Sequence, residues 1–260
     1  MSFDHELPVI SDITMRFLAR IVRSQFRRNF CSVMAQNAAC LRRSKGPLIV
    51  YANHSSWWDP MLLVLLARKL LPEQRHYAPI EASALRRYPA LRRLGLFPVD
   101  LSTTHGTAQF LRTAERVLAQ GAVLWTTPQG RFADTREFPL AFRPGLAGLA
   151  ARCPEVPLLP VAIEYTFWDG RLPETLVRFG DALHGHAALS SERLTHQLEC
   201  ALTATMLELQ KASCARDASA FEVILAGWQP RQSFYNFRRR QRASLAKKRL
   251  VLSHERMRLL

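Results

Sequence analysis

Leu48-Ile49-Val50-Tyr51-Ala52-Asn53-His54-Ser55-Ser56-Trp57-Trp58-Asp59-Pro60-Met61-Leu62-Leu63-Val64-Leu65-Leu66-Ala67 is the stretch from which the fold of this chain can be read. The short apolar run at 48–52 predicts a strand, and the second run at 61–67 predicts a helix. Between them lies a polar turn with one imidazole, one carboxylate and two adjacent tryptophans. A continuous helix would separate His54 and Asp59 by about 140° of rotation. A turn entering a helix brings them together, with Asp59 in the first helical turn and His54 just ahead of it. An imidazole held by a carboxylate is the arrangement of a general base. Taken singly, each residue also has a plainer role, a half-buried histidine at a strand end and an aspartate capping a helix.

Outward from this stretch the pattern repeats. Strands are predicted at 48–52, 76–79, 96–99, 122–127, 158–165 and 176–180, and helices at 60–71, 82–94, 106–120 and 145–152, with a further helix over 190–213. Strand alternating with helix predicts an α/β fold, a mainly parallel mixed sheet flanked by helices. Sites in such sheets form at the carboxyl ends of strands. His54 follows one strand and Gln129-Gly130-Arg131 follows another, so the two segments are expected to share a cleft.

The motifs together resemble a known family. Asn53-His54-Ser55-Ser56-Trp57-Trp58-Asp59 is similar to the His-x4-Asp block of the glycerolipid acyltransferases of the 1-acylglycerol-3-phosphate acyltransferase type. Gly95-Leu96-Phe97-Pro98-Val99-Asp100 is similar to the second block of that family. Thr127-Pro128-Gln129-Gly130-Arg131 is similar to the third, in which the family has Phe-Pro-Glu-Gly-x-Arg. Phe142-Arg143-Pro144-Gly145 resembles the basic-x-Gly segment that follows, and Val156-Pro157-Leu158-Leu159-Pro160-Val161-Ala162-Ile163 the fourth block. The blocks fall in the family's order over residues 45 to 185.

The resemblance implies acyl transfer from a thioester, acyl-CoA or acyl-carrier protein, to a hydroxyl of a lysophospholipid such as 1-acylglycerol-3-phosphate or a related lipid acceptor. His54 and Asp59 are the expected catalytic pair, and Gln129, Gly130, Arg131 and Arg143 the expected substrate-binding residues. No metal or other cofactor is implied. The chain departs from the family at Leu101, where the second block commonly continues with Arg. It departs again at Gln129, which stands for Glu, and at Arg131, which follows Gly130 directly. These changes fall where the acceptor phosphate is recognised, so a different lipid-like acceptor is also open.

The chemistry suits the residues. An imidazole has an unperturbed pKa of about 6.5, near working pH, and the carboxylate fixes its tautomer. No Gly-x-Ser-x-Gly elbow is present, so direct attack in a ternary complex is expected in place of a serine acyl-enzyme. Ser55 and Ser56 are both candidates for stabilising the oxyanion. Met61, Leu62, Leu65, Leu66, Leu91, Leu94 and Leu96 are candidate walls for an acyl chain, or simply core.

Charge points to the surface the protein meets. Of 260 residues, 36 are Lys or Arg and 21 Asp or Glu, a formal net charge of +15. Such an excess draws a protein to acidic lipid surfaces or to nucleic acid, but no recognised nucleic-acid-binding motif accompanies it. The reading without catalysis is a basic protein that binds nucleic acid or anionic membranes. Five scattered cysteines with no Cys-x-x-Cys favour a reducing compartment and give no zinc pattern. With no apolar run of spanning length and no secretory signal in the opening residues, peripheral association with the cytoplasmic face of a membrane is expected.

Three divisions are expected. Residues 1–44 form an N-terminal segment with one amphipathic helix over 12–40. There Ile13, Phe17, Ile21, Phe26, Phe30 and Val33 recur beside Arg16, Arg20, Arg23, Arg27 and Arg28. That helix suits either a membrane interface or the domain core. Residues 45–226 form the acyltransferase α/β domain. Residues 227–260 form a basic tail holding more than half of the net charge, suited to an anionic surface.

Overall fold

Strand β2 (Leu48–Ala52) is buried along its whole length, as a continuous apolar run dictates for the centre of a parallel sheet. The computed structural model describes residues 7–100 and 103–227. The basic tail and Leu101 lie outside the described residues. In chain order the elements are α1 (Asp12–Asn29), β1 (Ser32–Gln36), α2 (Ala38–Arg42), β2, α3 (Asp59–Leu70), β3 (His76–Glu81), α4 (Ala82–Arg87), β4 (Leu96–Val99), α5 (Thr104–Ala119), β5 (Val123–Thr126), α6 (Gly145–Arg152), β6 (Pro157–Thr166), β7 (Glu174–Phe179), β8 (Leu183–His184), α7 (Ser191–Ala215) and β9 (Glu222–Ala226).

The strands of the described residues join in one sheet of order β4-β3-β5-β2-β6-β7-β1-β9, with β8 beside β6. Strands β4, β3, β5, β2 and β6 run parallel. Strand β7 is antiparallel to β6 but parallel to β1, and β9 closes the edge antiparallel to β1. This is the mixed, mainly parallel α/β sheet that the alternating pattern predicts.

Alternation along β2 feeds two cores. Ile49 and Tyr51 face α5, α6 and α7, while Leu48, Val50 and Ala52 face α1, α2 and α3. Leu62 and Leu66 of α3 are fully buried in the second layer. Truncating either to alanine costs about 2–5 kcal/mol by comparison with similar core sites.

The N-terminal helix is shorter than expected. It ends at Asn29, where Phe30 turns extended (φ −130°), and the Cys31 N–H bonds Pro173 O. Val33, Met34 and Ala35 then form a buried strand between β7 and β9. Val33 and Ala35 point to one core and Met34 to the other, the alternation of a strand. The helical spacing holds through Phe26 and Phe30 only because both rings pack on the α3 side. The helix expected over 82–94 also breaks. Tyr88 leaves the helical region (φ −130°, ψ 73°) because Pro89 follows it, and Pro89–Leu94 form a 3₁₀ turn. Strands β1, β8 and β9 have no counterpart in the sequence reading.

Candidate active site

The parallel pairing of β2 with β5 sets the height of the site. Tyr51 pairs with Thr126, so His54 and Gln129, each three residues further on, leave the sheet level with one another. The Gln129 carboxamide Oε1 accepts the His54 N–H at 3.0 Å, and the Ala133 N–H donates to His54 O at 2.8 Å. On the other side of β2, buried Asn53 clamps β6. Its Oδ1 accepts the Ile163 N–H at 2.8 Å and its Nδ2 donates to Ile163 O at 3.0 Å. The backbone carrying His54 is thus fixed from both neighbouring strands.

The turn 55–58 enters α3 with Asp59 and Pro60 in its first turn, where proline is tolerated and a carboxylate meets the positive end of the helix. Asp59 is completely buried. Its Oδ2 lies 2.9 Å from His54 Nδ1 and accepts the Ser56 N–H at 2.8 Å. Its Oδ1 accepts the Tyr165 hydroxyl at 2.7 Å. With Nδ1 donating to the carboxylate, Nε2 is the ring nitrogen that can accept a proton. The expected catalytic pair is therefore in contact, with a side-chain exposure of 17% at His54. The Ser56 amide, committed to Asp59, is not available to an oxyanion. The buried Ser55 hydroxyl has no hydrogen-bond partner among the described residues.

Aromatic rings support this turn. Trp58 packs edge-on against Phe26 and Phe30, with centroids 5.5 and 4.9 Å away, and Phe30 lies 5.6 Å from Tyr165. Phe132 covers the imidazole, its centroid 4.3 Å off. Burial, and then the nearby Asp59 carboxylate, push the Tyr165 phenol far above its ordinary range, so it stays a donor at any working pH.

His54 and Asp59 open onto a cavity of about 580 Å³. Leu63, Val64, Leu96, Val99, Phe110 and Leu146 give it an apolar lining, and Gly130, Arg131 and Arg143 line it as well. Leu94 and Leu96, expected as acyl-chain wall, do line it. Leu62, Leu65 and Leu66 face the core, and the adjacent face of α3, at Leu63, Val64 and Ala67, lines the cavity in their place. In the floor, His76 Nε2 donates to Leu71 O at 2.9 Å and its Nδ1 accepts the Trp125 indole N–H at 3.1 Å. Burial pushes its pKa down to about 4, so this histidine is neutral.

The expected substrate-binding residues are placed unequally. Gly130 sits in a turn at φ +63°, and a Cβ there would lie 2.6 Å from Arg143 Nε. Gly130 and Arg143 are therefore in close approach. Arg131 is exposed and ion-paired with Glu137. Gln129 is only 4% exposed and reaches the loop that carries His54; it is not part of the cavity wall. Tyr165 and Phe132 were not read as site residues. Tyr165 had one available signal: it ends a predicted strand on the side from which the β2 loop emerges.

Fold and site together define an α/β enzyme with a carboxylate-held imidazole beside an apolar cavity. A family model described as Acyltransferase matches residues 31–164, a little over half of the chain. The chain belongs to the acyltransferase family. No curated protein sequence matches it. Among solved structures it is similar to the 1-acyl-sn-glycerophosphate (LPA) acyltransferase PlsC from Thermotoga maritima. That match has a TM-score of 0.57 and 17% identity, covering 75% of this chain and 79% of that one. A match to the pilus retraction motor PilT with bound ADP has a TM-score of 0.29 and 13% identity, covering 82% and 60%; it bears on nothing here. Among the described residues no helix is long and apolar enough to cross a membrane.

Proposed function

We propose that the chain transfers a fatty acyl group from an acyl thioester, acyl-CoA or acyl-carrier protein, to a hydroxyl of a lysophospholipid such as 1-acylglycerol-3-phosphate or a related lipid acceptor. The observation that carries this reading is the His54–Asp59 pair beside a cavity lined by apolar side chains and by Arg131 and Arg143. His54 Nε2 takes the acceptor's proton as its oxygen attacks the thioester carbonyl. Asp59 holds the imidazole in one tautomer and stabilises the imidazolium that forms. As the tetrahedral intermediate collapses, the C–S bond breaks and the imidazolium returns its proton to the leaving thiolate. No covalent acyl-enzyme is needed.

The acyl chain lies along Leu63, Val64, Leu96 and Phe110, and Arg131 and Arg143 face the acceptor's phosphate or another polar head. Gln129 and Gly130 serve the site indirectly, by holding the His54 backbone and by giving Arg143 room. A peripheral position on an anionic, cytoplasmic membrane face is supported by α1. Ile13, at 81% exposure, and Phe17, at 65%, form an outward stripe with Ile21 beside Arg16, Arg20 and Arg23. Met15, Val22 and Phe26 point inward. An apolar stripe with an arginine border suits a headgroup layer. The basic tail adds attraction of the same sign.

The test is a donor–acceptor screen of the purified protein, with products read by mass spectrometry, beside His54→Ala. Thioester-dependent acylation of a lysophospholipid that disappears in the variant is expected. Undiminished product from His54→Ala overturns the reading.

A further inference from the structure

We propose that Tyr165 is a positioning residue of this site, its hydroxyl holding the Asp59 carboxylate in the orientation and charge state that lets His54 work as a base. The proposal rests on the acyl-transfer reading above.

Strand β6 is the reason the contact exists. Paired with β2 from Ile49↔Leu158 to Ala52↔Val161, it continues to Thr166 while β2 stops at Ala52. Its last turn of alternation carries Leu159, Val161 and Ile163 into the core under α1 and α3. Tyr165 is next on that face, beyond the end of β2, where the catalytic turn passes. There the hydroxyl donates to Asp59 Oδ1 at 2.7 Å.

A carboxylate with no exposed surface must be given donors from the protein. Asp59 Oδ2 is satisfied by the Ser56 N–H and the imidazole. For Oδ1 the Tyr165 hydroxyl is the donor. Removing that hydroxyl has two consequences of the same sign. The buried carboxylate becomes harder to ionise, because hydrogen bonds to a charged form favour it. While ionised, its less dispersed charge grips the imidazolium proton more tightly. Both move the active state, ionised carboxylate with neutral imidazole, to higher pH.

The charged groups nearby do not replace the hydroxyl. Asp134 and Arg136 line the cleft on the Tyr165 side but are paired with each other at 2.8 Å. Arg131 is paired with Glu137 on the His54 side, and Arg143 lies against Gly130. On β6 itself Glu164 faces the opposite layer and accepts the Ser213 hydroxyl at 2.8 Å. On β7 Glu174 accepts the Ser32 hydroxyl at 2.6 Å. Phe30 and Trp58 carry no charge.

The experiment compares wild type, Tyr165→Phe, Phe30→Leu and His54→Ala in pH–rate profiles of acyl transfer. Tyr165→Phe keeps the ring packing and removes only the donor. The expected result is a fall of roughly tenfold or more in kcat, as for loss of one hydrogen bond to a charged group. KM is expected to stay within about twofold, and the acid limb to move upward by roughly half a pH unit or more. Phe30→Leu loosens the ring beside Tyr165 and keeps the hydroxyl, so stability falls and the limb stays in place. If Tyr165→Phe loses kcat with the limb unmoved, the hydroxyl does not set the charge state of Asp59 and the proposal fails. It fails equally if the variant matches wild type throughout while His54→Ala is inactive. An active His54→Ala instead overturns the acyl-transfer mechanism itself, which separates the two failures.

Discussion

The loop that carries His54 and the loop that carries Arg131 leave neighbouring parallel strands at one end of the sheet, and they are held by opposite kinds of interaction. Residues 53–59 are fixed by buried bonds: Asn53 to β6, Gln129 to the His54 amide, and three donors on Asp59. Residues 131–137 share one backbone bond with the first loop, Ala133 N–H to His54 O, and are otherwise held by solvent-facing ion pairs, Arg131 with Glu137 and Arg136 with Asp134. Exposed pairs contribute little and are screened by salt, whereas a buried polar group left without its partner is costly. The division suits the proposed chemistry. The proton-transfer geometry has to be rigid to a fraction of an ångström, while the loop beside the acceptor can differ in sequence, as it does here, without disturbing the base.

The largest expected effect is on the rigid side. His54→Ala should lower turnover by about 10²- to 10⁴-fold, the range for a general base, with the melting temperature little changed. A steady-state assay at saturating donor checks this, and a smaller loss would mean that the fixed loop holds no base.

The second prediction concerns pH. His76 is held near a pKa of about 4 in the fold by burial, against about 6.5 in an unfolded chain. Between those values the unfolded chain takes up a proton that the folded one refuses. Stability therefore rises with pH across this window and is lost as pH falls from 6.5 toward 4. Urea unfolding at pH 7.5 and pH 5 should differ by about 2 kcal/mol more in wild type than in His76→Gln. If the difference instead follows salt concentration, the exposed loop controls acid stability and the contrast drawn here is wrong.

Gln129→Leu removes the acceptor of the His54 N–H and should cost about 1–3 kcal/mol of stability, with kcat reduced. Gln129→Glu keeps an acceptor and should stay near wild type in both. Equal damage from the two would show that the hydrogen bond is not what Gln129 supplies.

The smallest effect is expected from Arg131→Ala. Stability should be unchanged, and KM for a phosphate-bearing acceptor should rise a few-fold with kcat nearly constant. The effect should shrink as ionic strength increases. A large fall in kcat would place Arg131 with the rigid loop.

Much of this arrangement was legible in the residues. The apolar run 48–52 and the polar turn after it give β2 and the His54–Asp59 contact because both are local, set by a strand end and a helix start five residues apart. The shared cleft was legible too, since parallel neighbours carry their loops at one end. The strand at 32–36 was not, because Phe26, Phe30 and Val33 fit a helical period, and only pairing with β7, more than 140 residues away, makes 32–36 a strand. The bond from the His54 amide to Gln129, and the part played by Tyr165, were hidden for a similar reason. The partners in these two bonds lie 75 and 106 residues apart, and a spacing argument along the chain contains nothing of that length. Which face of α3 lines the cavity was missed by one residue, because Leu62 and Leu63 are chemically identical and only the packing of α3 separates them.

The segment matched by the family model begins at Cys31 and ends at Glu164. Phe26 and Phe30, whose rings brace Trp58, fall just before it, and Tyr165, whose hydroxyl reaches Asp59, is the first residue after it. A fragment cut at those limits would keep every recognisable motif and lose the props on either side of the carboxylate. The smallest working unit is therefore larger than the smallest detectable one.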